Sequence, residues 1–393
     1  MAIAHPVHDD TLAAWLRLAL TPGIGSHGAR RLLAHCGSAT GVLHASAADL
    51  AQAVGEPRAR ALAGQDAALE TRVAQALNWL RSSARHHLVT LDDPDYPAGL
   101  LHLADPPVLL HVVGQRESLN RPMVAVVGSR NATAGGVAHA RAFSAELSGA
   151  GLTVVSGMAL GIDAAAHDGA LSGGSGTVGV LGTGVDVIYP RRHLALSERI
   201  ALNGALVSEL PLGTAPLPGL FPRRNRLIAA MARGVLVIEA ALRSGSLITA
   251  RLAADYGREV FALPGSIHSP LARGCHALIK EGARLVESVE DLLSEWPGGR
   301  PHSRTPAENR LSNHPTNPRL ASSASKGGGQ PLSDPACARL LAAIGHEPVL
   351  PDTLAEHLGM APDTLGAQLV LLEIDGHVVR CPDGRVVRQG PSG

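Results

Sequence analysis

Lysine is nearly absent from this chain. Only Lys280 and Lys326 occur among the 34 lysine and arginine residues, so arginine carries almost all of the positive charge. Aspartate and glutamate also number 34, which gives a formal net charge of zero. No global charge therefore attracts nucleic acid or a membrane surface, and any such partner must be met by a local patch. Aromatic residues make up only 2% of the chain, which excludes an extended platform for stacking bases.

Cysteine pairs and long apolar runs are missing as well. The four cysteines are far apart and no two have CxxC spacing, so the sequence predicts neither a zinc site nor a redox pair. No apolar run approaches the roughly 20 residues of a membrane span. The N-terminus shows no basic segment followed by an apolar one, as a secretion signal would. We therefore expect a cytoplasmic protein in a reducing environment, without membrane contact.

The common nucleotide-cofactor motifs are also lacking. There is no GxxxxGK[ST] loop for a nucleoside triphosphate. The pair Gly182-Thr-Gly184 is followed by Val187, where a dinucleotide fingerprint requires glycine. The sequence thus predicts no nucleotide cofactor and no bound metal.

Alternating apolar runs and helical patterns begin at Val124. The apolar runs lack the polar alternation of a half-exposed strand, which indicates strands buried on both faces of a parallel sheet. We predict six strands, at 124–127, 152–155, 177–181, 205–208, 234–238 and 259–263. Helices fill the gaps, at 134–147, 163–171, 193–202, 225–232, 247–256 and 275–281. The predicted fold class is α/β, a Rossmann-like doubly wound parallel sheet, with an added edge at 285–286 and a closing helix at 289–296.

Changes in composition divide the chain into four parts. Residues 1–82 are predicted to be helical, with a Pro22-Gly-Ile-Gly25 turn that suits either a helix-hairpin-helix motif or a plain helical bundle. Residues 83–296 form the Rossmann-like domain, in which five prolines between 81 and 122 predict a connecting region with one short strand at 108–113. Residues 297–335 are rich in Pro, Gly, Ser and Asn and predict a disordered linker.

A small domain is predicted at 336–393. It has three helical patterns and then a hairpin with Asp383-Gly384 at its turn, which together predict a winged helix. Such domains place their third helix in the major groove of DNA. Here the third helix, 362–374, contains no lysine or arginine. DNA binding and contact with another protein therefore both remain open for this domain.

Glycine-rich loops follow the predicted strands. They lie at 128–130, 156–163, 182–184, 244–246 and 264–265, and all fall at the carboxyl edge of a parallel sheet, where ligands bind. Glycine allows close backbone approach, and the helix that follows each loop begins with free N–H groups that favour anions. Ser129, Ser156 and Ser246 add hydroxyl groups, and Arg130 adds a charged fork. The sequence predicts an anionic ligand at this edge.

Two further stretches carry candidate functional residues. Phe221-Pro-Arg-Arg-Asn-Arg226 has three arginines with no acidic residue beside them in the sequence, which favours phosphate and nucleic acid as partners. Phe221 is the candidate for stacking on a base. Asp163 and His167 are four residues apart and fit one helix face. They suit either an acid–base or metal role, or simple helix capping and local packing.

Taken in order, these motifs resemble the DNA-processing protein A (DprA/Smf) family of bacteria. The resemblance covers about residues 85–295 and is carried by five segments: 128–130, 156–167, 182–184, 221–226 and 244–250. The N-terminal helices resemble that family's sterile-alpha-motif-like domain, and the winged helix resembles its optional tail. The resemblance implies a protein that is not an enzyme. It would bind incoming single-stranded DNA during natural transformation, form a homodimer through the Rossmann-like domain and load the RecA recombinase.

The resemblance also implies site residues. The pocket would be lined by Gly128, Ser129, Arg130, Ser156, Gly157 and Gly161, and Ser246 lies in a matching loop. The strand would be held by Phe221, Arg223, Arg224, Asn225 and Arg226. This chain uses arginine where a basic patch would be expected to include lysine, and arginine binds phosphate with a different geometry.

Two rival functions remain at this point. Related Rossmann-like enzymes cleave nucleotide N-glycosidic bonds with a glutamate and an arginine, and Glu239 with Arg130 could imitate that pair. Their PGGxGTxxE loop is absent here, since the segment after Ile238 reads Glu-Ala-Ala-Leu-Arg-Ser-Gly-Ser246. A transcription regulator led by the winged helix is the other alternative, and the acidic third helix argues against it.

Overall fold

Six helices form the N-terminal part of the computed structural model, which describes residues 9–64, 66–296, 335–381 and 383–389. They are α1 (Asp9–Leu20), α2 (Gly25–Cys36), α3 (Ala39–His44), α4 (Ala47–Val54), α5 (Glu56–Ala63) and α6 (Ala67–Arg81). Leu16, Leu32 and Leu50 are fully buried where these helices meet. Gly23 and Gly25 both have positive φ, +81° and +58°, so the turn between α1 and α2 depends on glycine.

One sheet of nine strands runs through the middle of the molecule. The strands are β1 (His86–Thr90), β2 (Leu109–Gly114), β3 (Met123–Gly128), β4 (Thr153–Ser156), β5 (Thr177–Val180), β6 (Ala205–Ser208), β7 (Gly234–Ile238), β8 (Glu259–Ala262) and β9 (Arg284–Leu285). Their order is β1-β2-β6-β5-β4-β3-β7-β8-β9. From β6 to β9 all neighbours are parallel, which confirms the predicted doubly wound sheet.

The prediction that residues between 81 and 122 only connect is wrong, whereas the short strand predicted at 108–113 is confirmed as β2. β1 and β2 pair with each other and with β6 in antiparallel fashion and extend the sheet. Tyr96, Leu100 and Leu103, which lie between them, are buried in the main core. The prolines of this region occupy turns and strand ends, where the missing N–H group breaks no ladder hydrogen bond. The prolines therefore marked the turns of this region correctly, but they did not mean that the region lies outside the packed core.

Helices cover both faces of the sheet. Successive side chains of β3 point to opposite faces, and both sets are buried. Ala125 and Val127 contribute to one core, with α10 (Leu220–Met231), α11 (Ser246–Asp255) and α12 (Arg273–Lys280). Val124 and Val126 point the other way, to a core with α7 (Ala134–Gly149), α8 (Ile162–Gly173) and α13 (Val289–Leu293). α9 (Leu194–Asn203) packs beside α8. α10 begins at Leu220, five residues before the predicted start, so the arginine-rich segment is helical.

The winged helix predicted at the C-terminus is confirmed. It consists of α14 (Pro335–Ile344), α15 (Pro351–Leu358), α16 (Pro362–Ile374) and the antiparallel pair β10 (Val378–Arg380) and β11 (Val386–Arg388). It packs on α7, where Ala134 joins its core and Arg141 pairs with Glu356 at 3.3 Å.

The predicted linker, 297–335, lies outside the described residues except for Pro335. No helix among the described residues is long and apolar enough to cross a membrane.

Candidate nucleic-acid interface

The carboxyl ends of β3, β4 and β7 open onto a cavity of about 500 Å³. We call it the carboxyl-edge cavity. Seven of the predicted site residues line it: Gly128, Ser129, Arg130, Phe221, Arg224, Asn225 and Ser246. Its wall also includes Asn131, Asp163, Arg243 and Ser244. The topology explains this meeting, because β4, β3 and β7 are neighbours and their following loops share one edge.

Two glycines allow the backbone to close this cavity. A Cβ on Gly128 would lie 1.8 Å from the Ile238 carbonyl oxygen, so no larger residue fits there. Gly161 has a φ of +72°, and a Cβ on it would lie 2.3 Å from the Ser129 carbonyl oxygen. That same oxygen accepts a hydrogen bond from the Ile162 N–H at 3.1 Å. The start of α8 is therefore held directly against the Gly128-Ser129-Arg130 loop.

Two buried side chains of opposite charge, Arg224 and Asp163, lie in the floor of the cavity, and each is hydrogen-bonded to the backbone. Arg224 Nη1 donates to the Gly157 carbonyl oxygen at 2.5 Å and to the carbonyl oxygen of Val180. The Asp163 carboxylate accepts from the N–H groups of Gly157 and Ala159, at 3.1 and 3.3 Å. Burial lowers the pKa of Arg224 to about 10, an effect that the Asp163 charge opposes. Burial likewise raises the pKa of Asp163, and the Arg224 charge opposes that shift.

The rim of the cavity carries exposed positive charge and an aromatic pair. Arg130 and Arg243 are exposed, and neither forms an ion pair with any residue that the structure describes. The Arg130 Cζ lies 5.9 Å from the centre of the Phe221 ring. Phe221 in turn packs at a tilt against Tyr189, with 5.7 Å between ring centroids. Tyr189 is 48% exposed, so it extends the aromatic surface towards solvent.

The other five predicted residues lie outside the lining of this cavity. The Ser156 hydroxyl is fully buried and donates to the Val126 carbonyl oxygen at 2.6 Å. Gly157 packs on the Arg224 guanidinium, and Gly161 lies behind the Ser129 loop. Arg223 and Arg226 both pair with Glu209.

Glu209 changes the interpretation of the arginine-rich segment. The sequence shows no acidic residue beside Phe221–Arg226, but the fold brings Glu209 from the end of β6 against it. Glu209 is itself buried, which raises its pKa, and the Arg226 and Arg223 charges oppose that shift. Arg226 also lies 3.5 Å from Asp105. Its charge is thus balanced within the protein, whereas the charges of Arg130 and Arg243 are not.

Three residues of the site were not identified from the sequence: Tyr189, Asn131 and Arg243. Asn131 directly follows the Gly128-Ser129-Arg130 loop, and its N–H donates to the Ser129 hydroxyl at 3.2 Å. Tyr189 and Arg243 lie in loops without periodicity. Arg243 directly precedes the predicted loop 244–246, so extending that loop by one residue would have found it, whereas Tyr189 is marked only by its spatial position beside Phe221.

Asp163 and His167 behave as structural residues. The His167 Nδ1 lies 2.7 Å from the Thr177 hydroxyl, and burial lowers the pKa of His167 to about 3. The Asp163 carboxylate accepts hydrogen bonds from the two backbone N–H groups described above. The described part of the chain contains no group of three or more His, Cys, Asp or Glu residues placed to hold a metal ion.

Comparison with known proteins gives two family matches. The model described as DNA recombination-mediator protein A matches residues 87–297, and the model described as DprA winged helix domain matches residues 324–384. Protein Smf of Escherichia coli (strain K12) is 41% identical over 315 residues, which covers 80% of each chain. DNA processing protein DprA of Streptococcus pneumoniae (strain ATCC BAA-255 / R6) is 47% identical over 204 residues, covering 52% of this chain and 72% of that protein.

A solved structure gives the same result at the level of the fold. The X-ray structure of DNA processing protein A (DprA) from Streptococcus pneumoniae has a TM-score of 0.61 and 35% sequence identity with this chain. The match covers 74% of this chain and 99% of that one. The sheet and the loops at its carboxyl edge thus have a counterpart of known structure.

Proposed function

The chain belongs to the DNA recombination-mediator protein A (DprA/Smf) family, and from that premise we propose that it binds single-stranded DNA at the carboxyl-edge cavity. In this proposal it receives incoming DNA during natural transformation and loads the RecA recombinase on it, without catalysing a reaction itself. The observation that carries the proposal is that Arg130, beside the Phe221 ring, and Arg243, in the same cavity lining, form no ion pair with any described residue.

The chemistry of the rim suits a single strand better than a duplex. A guanidinium group offers two parallel N–H donors to a phosphate, and Arg130 and Arg243 have no protein carboxylate to compete for them among the described residues. Phe221 and Tyr189 offer ring faces, and stacking requires an unpaired base. Since the chain as a whole is neutral, this binding depends on a local field and is sensitive to salt.

The predicted site residues divide into two roles in this proposal. Residues on the cavity wall contact the strand: Gly128, Ser129, Arg130, Phe221, Asn225 and Ser246. Arg224 in the cavity floor and four residues behind the wall shape it: Ser156, Gly157, Gly161 and Arg226. Arg223 is exposed beside Glu209 and holds the strand at the outer turn of α10. Buried groups act here by fixing backbone positions and not by touching phosphate.

The partners and the division into domains are proposed on the family resemblance. We place the boundaries at 82, 296 and 335, and assign the homodimer contact to the Rossmann-like domain. One structural feature supports that assignment. The edge strand β9 is only two residues long, pairs on one side with β8, and leaves Leu285 about half exposed. Apolar side chains at an open sheet edge favour contact with another chain.

The geometry does not favour the alternative of an N-glycosidic-bond-cleaving enzyme. The Glu239 carboxylate accepts from the Thr133 N–H at 2.8 Å and from the Thr133 hydroxyl at 2.5 Å. Glu239 lines a different cavity, of about 230 Å³, between α7 and the winged helix, whereas Arg130 lines the carboxyl-edge cavity. The glutamate and arginine that such chemistry requires are not brought to one site.

Fluorescence anisotropy with labelled single-stranded and double-stranded oligonucleotides tests the proposal. We expect preference for the single strand, with log Kd depending linearly on log salt by about 0.7 per phosphate contacted. Arg130→Ala should weaken single-strand binding and reduce that slope by about one contact. Arg85→Ala is the matched control, because Arg85 is exposed and lies in neither cavity lining. Unchanged affinity of the Arg130 variant at fixed salt would remove Arg130 from the site, and preference for duplex would overturn the proposal.

A further inference from the structure

A second basic cavity lies at the opposite edge of the sheet. It has a volume of about 320 Å³ and opens at the amino ends of β3 and β7. We call it the amino-edge cavity. Four basic residues line it: His102, Arg121, Arg233 and Arg258. No aspartate or glutamate is found in its lining, within the part of the chain that the structure describes.

The sheet itself brings these arginines together. Arg233 directly precedes β7 and Arg258 directly precedes β8, and the two strands pair in register with Gly234 beside Glu259. Arg233 and Arg258 are therefore neighbours across the strand pair. The Arg233 N–H donates to the Met123 carbonyl oxygen at 2.8 Å, which places the start of β3 and nearby Arg121 on the other side. Like charges placed opposite each other destabilise a sheet, so this arrangement needs a compensating anion.

The protein supplies no such anion. None of the three arginines forms an ion pair with any described residue. Glu259, which follows Arg258 in the chain, lies 3.3 Å from Arg284, and Asp95, which accepts from the lining residue Asn120, lies 2.6 Å from Arg116, so both carboxylates are already paired. The Arg258 Nε is buried and has no acceptor among the described atoms.

Helix capping does not account for this charge. Cationic side chains stabilise the C-terminal end of a helix, and α10 ends at Met231 in the wall of this cavity. Such a role would show as hydrogen bonds from the guanidinium groups to the last carbonyl oxygens of α10. In the described residues none of the three arginines makes one, and the Arg121 side chain instead donates to the Ser175 carbonyl oxygen at 3.1 Å.

We propose that the amino-edge cavity is a second phosphate-binding site, which takes the sugar–phosphate backbone of single-stranded DNA beyond the segment held at the carboxyl-edge cavity. This inference rests on the proposed function. Arginine forks bind phosphate oxygens without regard to sequence. The cavity lining has no Phe, Tyr or Trp ring among the described residues, so its arginines present the site mainly to the phosphates of the strand.

The path between the two cavities over the protein surface is longer than the straight line that joins them. β3 separates them, and its 6 residues span about 20 Å at roughly 3.3 Å per residue. A direct path along α10 is closed, because its residues from Arg226 onward are buried. The strand must pass around the domain, so occupation of the second site depends on strand length.

The test compares oligothymidylates of two lengths, one of about 6 nucleotides, near the low end of known single-strand site sizes, and one roughly five times longer. The variant is Arg233→Ala/Arg258→Ala in the full-length protein. It removes like-charge repulsion and should fold. The control is Arg85→Ala/Arg339→Ala, which removes the same charge from exposed positions outside both cavities. Anisotropy is measured across a salt series, and binding of thymidine monophosphate is measured by calorimetry.

For the longer strand, we expect the slope of log Kd against log salt to fall by about 1.4 in the Arg233/Arg258 variant, which is two contacts of about 0.7 each. Affinity for the short strand, and all values for the control, should equal those of the wild type. An unchanged slope for the longer strand overturns the inference. If the variant loses only thymidine monophosphate binding, the site takes free nucleotides and strand binding there is refuted. If the wild type does not bind even the short strand, the proposed function is refuted. Whether the amino-edge cavity binds phosphate is then decided by the thymidine monophosphate measurement alone.

Discussion

Replacing Arg224 with methionine removes the buried cation in the floor of the carboxyl-edge cavity while keeping an unbranched apolar stem. The change deletes the hydrogen bonds to the Gly157 and Val180 carbonyl oxygens and leaves the Asp163 carboxylate buried without its counter-charge. Each buried hydrogen-bonding group left without its partner costs roughly 1–3 kcal/mol, and the loss of the Arg224 charge adds to the cost of keeping Asp163 ionised. Because a domain is stable by only about 5–15 kcal/mol, we expect a large fall in the free energy of unfolding at neutral pH.

The pH dependence of this loss identifies its cause. Burial already raises the pKa of Asp163 in the folded protein, and without Arg224 that pKa should rise further. The pKa of an unfolded Asp carboxyl group is about 3.9, and here the pKa in the folded protein is higher. Below about pH 3.9 the group is neutral in both the folded and the unfolded protein, so burying it costs no charge-desolvation energy. Above that pH the unfolded chain ionises first, so stability falls as the pH rises. The Arg224→Met variant should therefore approach the wild type near pH 4 and fall behind it towards neutral pH.

Urea unfolding followed by far-UV circular dichroism measures both effects. Arg223→Met is the matched control from the same helix, because Arg223 is exposed and its ion pair should contribute no more than about 1 kcal/mol. Adding Asp163→Asn to Arg224→Met should recover part of the loss, since the buried charge is gone while the amide oxygen still accepts. A loss that is equal in mild acid and at neutral pH would refute the buried-charge explanation, as would a loss no larger than that of the Arg223 variant.

Three further outcomes are expected. Gly161→Ala should lower the Tm and weaken single-strand binding, because the added Cβ would lie 2.3 Å from the Ser129 carbonyl oxygen and residue 161 has a φ of +72°. The control Gly149→Ala should change neither the Tm nor the binding, because its Cβ meets no described atom within 4 Å. Deleting residues 297–393 should leave single-strand affinity largely intact in anisotropy, and loss of binding would make the winged helix the main DNA-binding domain. Stability should fall as the pH drops below about 6.5, because burial lowers the pKa of His167 to about 3 and that of His111 to about 4; a urea midpoint that does not change between pH 7 and pH 5 would contradict this.

Much of the sheet could be predicted from the sequence because each central strand is an unbroken apolar run. Val124–Val127 is buried on both faces, so nothing polar interrupts it, and the loop glycines mark where it ends. β1 was not predicted, because its first two residues are histidines and its apolar part is short. α10 was predicted to begin too late, since Pro222 and three arginines look unlike a helix start. Proline is nevertheless well suited to the first turn of a helix, where its missing N–H costs nothing.

The site was predictable as a set of loops but not as a set of roles. Arginines 223, 224 and 226 look alike in the sequence, yet one is exposed, one is fixed to backbone carbonyl oxygens and one is neutralised by Glu209. That difference depends on which distant residues the fold brings close, and no local pattern records it. Arg243 was missed because the predicted loop 244–246 begins one residue after it.

The Arg224 side chain has a consequence for the thermodynamics of recognition. It joins Gly157, directly after β4, and Val180, the last residue of β5, to the first turns of α10, so the surfaces proposed to meet the strand are ordered in the protein alone. A preorganised protein surface avoids the entropy cost of ordering loops on binding. Nearly all of that cost then falls on the flexible nucleic acid. The protein acts as a rigid template, and stiffening the ligand should raise affinity more than any further stiffening of the loops.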